Sequence, residues 1–180
     1  MLKSQDLVVL TRLLLAENRR EPTTYPALNQ WTGLSASECH AAVKRLQKAG
    51  LIAPALGDGV TFDWQVVRPC AEEFVTHALR YLWPVELAAE QRGTPTGTAV
   101  ETLNEGDGSV HEADRWVWPS ARGTVRGLAV KPLYPTVPDK AEADAQFHQS
   151  LAALDLARSP QARLRRLGQQ WLQTHLLRRP

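Results

Sequence analysis

The stretch LNQWTGLSASECHAAVKRLQKAGLI, residues 28–52, sets the architecture of the N-terminal third of this 180-residue chain. It contains two helices joined by a sharp turn. Thr23 or Thr24 offers a capping hydroxyl for the first helix, over residues 24–32, and Pro26 fits its first turn, where a missing N–H costs nothing. Gly33 ends that helix, because glycine tolerates the left-handed backbone such an ending needs. Ser35-Ala36-Ser37-Glu38 then spells a capping box: the Ser35 hydroxyl takes the Glu38 amide, and the Glu38 carboxylate reaches back to the Ser35 amide. Cys39, Ala42, Val43, Leu46 and Ala49 form the apolar stripe of the helix that follows, and Gly50 ends it. The opposite side carries Ser37, His40, Ala41, Lys44 and Lys48.

Working outward, residues 5–17 (QDLVVLTRLLLAE) have Leu7, Val8, Leu10 and Leu14 at helical spacing, with Ser4 as the expected cap. This helix is apolar on more than one face, so it belongs at the centre of a core or an oligomer. After the two helices, Leu51–Leu56 and Val60–Trp64 flank Gly57-Asp58-Gly59, the pattern of a short hairpin, with Pro54 on its edge. Arg68–Trp83 returns to helical spacing and Pro84 ends it.

The turn Thr32-Gly33-Leu34-Ser35, and the ending in which Arg45-Leu46 is followed by Ala49-Gly50-Leu51-Ile52, make residues 5–64 resemble the winged helix-turn-helix of bacterial MarR-like transcriptional regulators. The resemblance implies a DNA-binding regulator, a repressor as the expected sign, that dimerises through its terminal helices. It also implies a basic wing tip, and here the chain departs from the pattern: Leu51–Trp64 contains no Lys or Arg and carries Asp58 and Asp63. The residues read the same way on their own. A helix exposing polar and basic side chains fits a major groove, whose base edges distinguish all four pairs. Lys44, Arg45 and Lys48 suit phosphates. Ser37 and His40 suit base edges, with Ala41 between them. Ser35 and Ser37 place hydroxyls and amides where a phosphate binds a helix start. Arg12, Arg19 and Arg20 are further candidates for backbone contact. The bland alternative is that these charges form only a solvated helix face.

Composition agrees with a folded domain. Hydrophobic residues make up 43% and charged residues 22%, which excludes wholesale disorder. No apolar run is long enough for a membrane span, and two cysteines, Cys39 and Cys70, make no disulfide framework, so a cytoplasmic location is expected. The net charge of +2 hides a division: +3 over residues 1–56, −7 over 57–157 and +6 over 158–180. Basic ends around an acidic middle fit either nucleic-acid contact or contact between the segments.

Residues 92–138 are rich in Gly and Pro and lack periodicity; they read as an irregular strap with one short helix at Ala99–Leu103. Its Trp116, Trp118, Arg122 and Arg126 either close a core or form a surface for a partner or an anionic ligand. Residues 139–157 read as a helix, and Ser159-Pro160 opens a last one to about Leu177, with Leu164, Leu167, Trp171 and Leu176 as a core or dimer seam and six arginines beside it.

Motifs for chemistry are weak. Cys39, His40, Cys70 and His77 lack chelating spacing, His111-Glu112 with Asp114 lacks a helical His-Glu-xx-His, Gly93–Gly97 is no phosphate loop, and no Gly-x-Ser-x-Gly occurs. The expectation is therefore a mainly α protein with no enzymatic activity, cofactor or metal: a winged helix-turn-helix with a short β-hairpin wing over residues 1–83, an extended strap over 84–138, and a C-terminal helical region, 139–180, that dimerises. Its partners would be double-stranded DNA and a second copy, and no membrane. The alternative is a winged-helix adaptor or antitoxin-like protein that holds a protein partner through the acidic middle and the tryptophan strap.

Overall fold

A computed structural model describes residues 1–55, 64–103 and 114–178. The fold is mixed α/β. Helix α1 (Ser4–Arg19) is buried from Asp6 to Ala16, so it has no solvent face over most of its length. That is where a helix apolar all round must go. Its start differs from expectation. Lys3 is the cap residue, its amide donating to the Asp6 carboxylate at 2.8 Å, while the Ser4 hydroxyl donates to the Leu133 carbonyl at 2.8 Å.

Helices α2 (Tyr25–Thr32) and α3 (Ala36–Lys48) form as the local signals dictate. Thr24 caps α2, accepting from the Ala27 amide. Gly33 has φ +72°, a conformation that penalises any Cβ. The Ser35–Glu38 box closes at both hydrogen bonds, 2.9 and 3.3 Å. Strands β1 (Ile52–Pro54) and β2 (Trp64–Val66) pair antiparallel, Ile52 opposite Val66 and Pro54 opposite Trp64. The expected Gly57-Asp58-Gly59 tip lies outside the described residues. Helix α4 (Arg68–Glu73) runs through a π-helical turn (Phe74–Ala78) into α5 (Leu79–Leu82).

The next segment corrects the irregular strap. It is a sheet, which begins at Leu87. Strand β3 (Leu87–Thr96) lies antiparallel to both β4 (Trp116–Pro119) and β5 (Val125–Val130), and β4 and β5 run parallel, so three strands close on one another. "Mainly α" therefore understates the β content. Closure on so tight a radius requires bare backbone: a Cβ on Gly123 would sit 2.1 Å from the Gly93 carbonyl carbon. Two 3-10 turns, Gly97–Ala99 and Glu101–Leu103, stand where one short helix was expected.

Helix α6 (Val137–Ala141) precedes α7 (Ala145–Ala157), which is buried almost throughout its second half and lies against β3. Asp155 of α7, fully buried, ties sheet to helix. One of its oxygens accepts from Thr96 Oγ1 and Trp118 Nε1, both at 2.7 Å; the other accepts from Arg158 Nε and Nη2 at 2.9 and 2.8 Å. Arg158 also donates to the Trp83 and Lys131 carbonyls, so the buried charges leave no hydrogen-bonding group of the pair unused on the carboxylate side.

Helix α8 (Ala162–Leu172) and its terminal π turn (Gln173–Leu177) lie along α7, and Gly168 permits the approach: a Cβ there would be 2.5 Å from the Ala153 carbonyl oxygen. Leu164, Leu172 and Leu176 are buried, with Leu167 and Trp171 packed on them. Of the two readings of this stripe, a core seam or a dimer seam, its packing within the chain fits the core. One continuous core extends from Leu7 to Leu177, so the three expected segments share a single interior.

Asp144 caps α7, accepting from the Phe147 amide at 3.1 Å. Both its oxygens also accept from Arg19, at 2.6 and 2.8 Å, and Arg12 reaches it at 3.0 Å. The Arg19 hydrogen bonds, helped by the Phe147 amide and the Arg12 charge, hold its carboxyl at about 2 against the opposing effect of burial. A depressed carboxyl stabilises the fold above its unfolded value and loses that contribution as pH falls toward the folded value. The side chain is 24% exposed, so roughly 2 kcal/mol should disappear between about pH 4 and pH 2. Asp144→Asn, which keeps an acceptor for the cap, is expected to flatten that window in urea titrations across pH. An unchanged acid limb would contradict the assignment.

Candidate nucleic-acid interface

Helix α3 packs its Cys39, Ala42, Val43 and Leu46 stripe inward, and the other side is open. Ser37, His40, Lys44 and Lys48 are exposed and Ala41 is half-buried. Their spacing of three, four and four residues puts them in one line along the helix. Neither lysine makes an ion pair among the described residues. His40 is braced from one side: its ring lies 5.4 Å from that of Tyr25, which sits edge-on to Trp64 at 4.7 Å. The ring of Tyr25, backed by Trp64 of the hairpin, thus lies along one side of this histidine.

Two residues of the expected site have other work. Arg45 turns inward. Its Nε and Nη2 donate to Asp6 at 2.8 and 2.6 Å, and Asp6 is 1% exposed, so the arginine binds α3 to α1 instead of presenting a phosphate contact. Ser35 spends its hydroxyl and amide on Glu38. The Glu38 carboxyl is held below the usual carboxylate range by the Ser35 hydroxyl and amide and by the Tyr134 hydroxyl, which donates at 2.9 Å. A carboxylate therefore occupies the helix start where a phosphate was expected.

The candidate backbone contacts of α1 are also engaged. Arg12 is 4% exposed, bonded to Glu21 and Asp144, with its guanidinium 4.0 Å over the Trp31 ring. Arg19 is committed to Asp144 and Gln146. Arg20 is exposed. In the C-terminal helix, Arg158 is buried, Arg165 bonds the Ser159 and Pro160 carbonyls, and Arg163, Arg166 and Arg178 are exposed; Arg179 lies outside the described residues.

The tryptophan strap offers no tryptophan surface. Trp116 and Trp118 are 2% and 1% exposed and belong to the core. Arg122 and Arg126 are exposed, each in an ion pair, with Asp139 at 3.1 Å and Glu90 at 2.7 Å. The four residues therefore form no single ligand site.

Sequence reasoning missed one feature of this region. The segment from Leu133 to Lys140 lies over the α2–α3 turn. Thr136 Oγ1 donates to the Thr32 carbonyl at 2.6 Å and Lys140 Nζ to the Gln30 carbonyl at 2.8 Å, and a Cβ on Gly33 would be 3.0 Å from Thr136. No local signal in residues 133–140 announces this contact; its partners are about a hundred residues away. No helix among the described residues is long and apolar enough to cross a membrane. No family model, curated protein or solved structure matches the chain.

Proposed function

We propose that this protein is a DNA-binding transcriptional regulator, a repressor acting as a homodimer in the cytoplasm, whose α1–α3 and β1–β2 hairpin serve as a winged helix-turn-helix. The single observation that carries the reading is the open line Ser37–His40–Lys44–Lys48 on a capped helix held over a compact core. A helix so presented fits a major groove, with Ser37 and His40 near its N-terminal end toward base edges and the lysines toward phosphates. Repression would be steric, by covering a promoter. The MarR-like pattern of residues 28–52 supports the same reading.

Selection of bound duplexes from a random pool, followed by affinity titration against salt, tests it. Specific binding should weaken steeply with salt. Lys44→Ala should weaken binding to every duplex and make the salt slope about one unit shallower, because one phosphate contact is lost. His40→Ala should change the preferred sequence instead. Failure to enrich any sequence, together with a flat salt response, would remove the DNA reading.

A further inference from the structure

The arginines expected to reach the DNA backbone are spent inside the fold. Arg45 binds Asp6, and Arg12 and Arg19 bind Asp144. The sequence of the hairpin region offers no substitute, since Leu51–Trp64 carries Asp58 and Asp63 and no Lys or Arg. Lys44 and Lys48 alone supply few of the phosphate contacts on which DNA affinity depends. The remaining contacts have to come from elements beside α3.

A major groove is about 12 Å wide, close to the diameter of a helix with its side chains, so whatever flanks an inserted helix meets the phosphate walls. The two flanks of α3 differ. On one, His40 lies against Tyr25, which touches Trp64 of β2. On the other, Glu38 stands two residues earlier, about 160° away around the helix, and meets Tyr134. Two lysines belong to this second flank. Lys3 caps α1 through its backbone, which leaves its side chain free; that side chain is exposed, makes no ion pair among the described residues, and is near enough for its charge to help hold the Glu38 carboxyl down. Three residues on, Asp6 holds Arg45, so the start of α1 is pinned along this side of α3. Lys140 donates to the Gln30 carbonyl at 2.8 Å, in the last turn of α2, where a cation is favoured. An ammonium has three N–H groups, so two remain for an anion. The acids at hand are engaged: Asp139 with Arg122, and Glu38 with Ser35 and Tyr134.

We propose that Lys3 and Lys140 contact DNA phosphates, so that the wall of the groove is gripped from the start of α1 and from residues 133–140, on the flank of α3 away from the hairpin. This rests on the DNA reading and adds to it which side of the groove is held and by which residues. The acidic hairpin sequence then costs nothing, because the backbone contact lies on the other side of the helix.

The test is affinity against salt for the full chain, on the duplex enriched from a random pool. Lys3→Gln should make the salt slope about one unit shallower and weaken binding roughly three- to tenfold near 0.1 M salt. Lys140→Gln should do the same, and the double variant should lose about two units of slope. Glutamine keeps an N–H for the Gln30 carbonyl, so a loss in Lys140→Gln follows the charge and not the contact with α2. Lys140→Arg should retain the wild-type slope. Base preference and urea midpoint should not move in Lys3→Gln or Lys140→Gln. Arg166→Gln, at an exposed arginine of α8, controls for net charge and should leave the slope unchanged. A wild-type slope in either lysine variant, while Lys44→Ala flattens its own, overturns this proposal and leaves the DNA reading standing. An equal loss in Arg166→Gln overturns it too. If no duplex is enriched and the salt response is flat, both the reading and the proposal fall.

Discussion

Asp155→Ala is expected to destabilise the fold by about 3–5 kcal/mol, the usual cost of stranding one member of a buried ion pair. The substitution leaves Arg158, 5% exposed, with only carbonyl partners, and removes the acceptor of both Trp118 Nε1 and Thr96 Oγ1. Three donors are then buried without their acceptor, and each such loss costs more than the hydrogen bond gained in forming it. Because Thr96 and Trp118 belong to β3 and β4, the sheet should loosen from α7 before the α1–α3 region opens. Hydrogen exchange of β3 and β4 amides, with urea unfolding for the total, measures both. The double variant Asp155→Leu/Arg158→Met should recover much of the loss, since an apolar pair carries no stranded charge. A loss under about 1 kcal/mol for Asp155→Ala would mean that the network is not coupled as its geometry implies.

Arg45→Ala should cost about 2–3 kcal/mol while leaving the salt slope of DNA binding unchanged. The two readouts separate a residue that holds α3 from one that holds a phosphate. Arg45 is 20% exposed and Asp6 1%, so the penalty falls mainly on the buried carboxylate, which keeps only the Lys3 amide. The Asp6 hydrogen bonds raise the Arg45 guanidinium further above its ordinary value, so the arginine stays charged at every accessible pH. Arg45→Lys should recover part of the stability only, because an ammonium cannot reproduce the two-pronged contact. If Arg45→Ala made the salt slope shallower with no change in urea midpoint, the residue would belong with Lys44 and Lys48.

The parts of the fold that were legible in the sequence are those whose causes act over four residues or fewer. Thr24, Gly33, Ser35 and Glu38 fix the boundaries of α2 and α3 by hydrogen bonds or backbone freedom within their own turn, and the apolar stripe of α3 then dictates which side chains face out. That is why the line from Ser37 to Lys48 was visible in advance. Arg45 sits at the margin of the stripe, and its fate depended on a carboxylate 39 residues earlier that the sequence does not point to. Arg19 is the same case at greater range, its partner Asp144 being 125 residues away. The sheet was hidden for a different reason. Strand β3 is exposed on both faces for its first six residues and carries a register shift, so it shows no alternation to read. Asp155 and Arg158, two charges three residues apart in a run of Leu and Ala, did carry a signal of a buried pair that composition alone passes over.

The cover over the α2–α3 turn has a mechanical consequence. Lys140, Thr136 and Tyr134 grip, in turn, the Gln30 carbonyl, the Thr32 carbonyl and the Glu38 carboxylate, from a segment that follows the whole sheet. The aim of α3 is thus set partly from a segment about a hundred residues further along the polypeptide, as a rudder is set by its tiller. Residues 1–83 cut out and grafted elsewhere would lose that steering, and an insertion near Pro135 would reorient the helix without touching a residue of it.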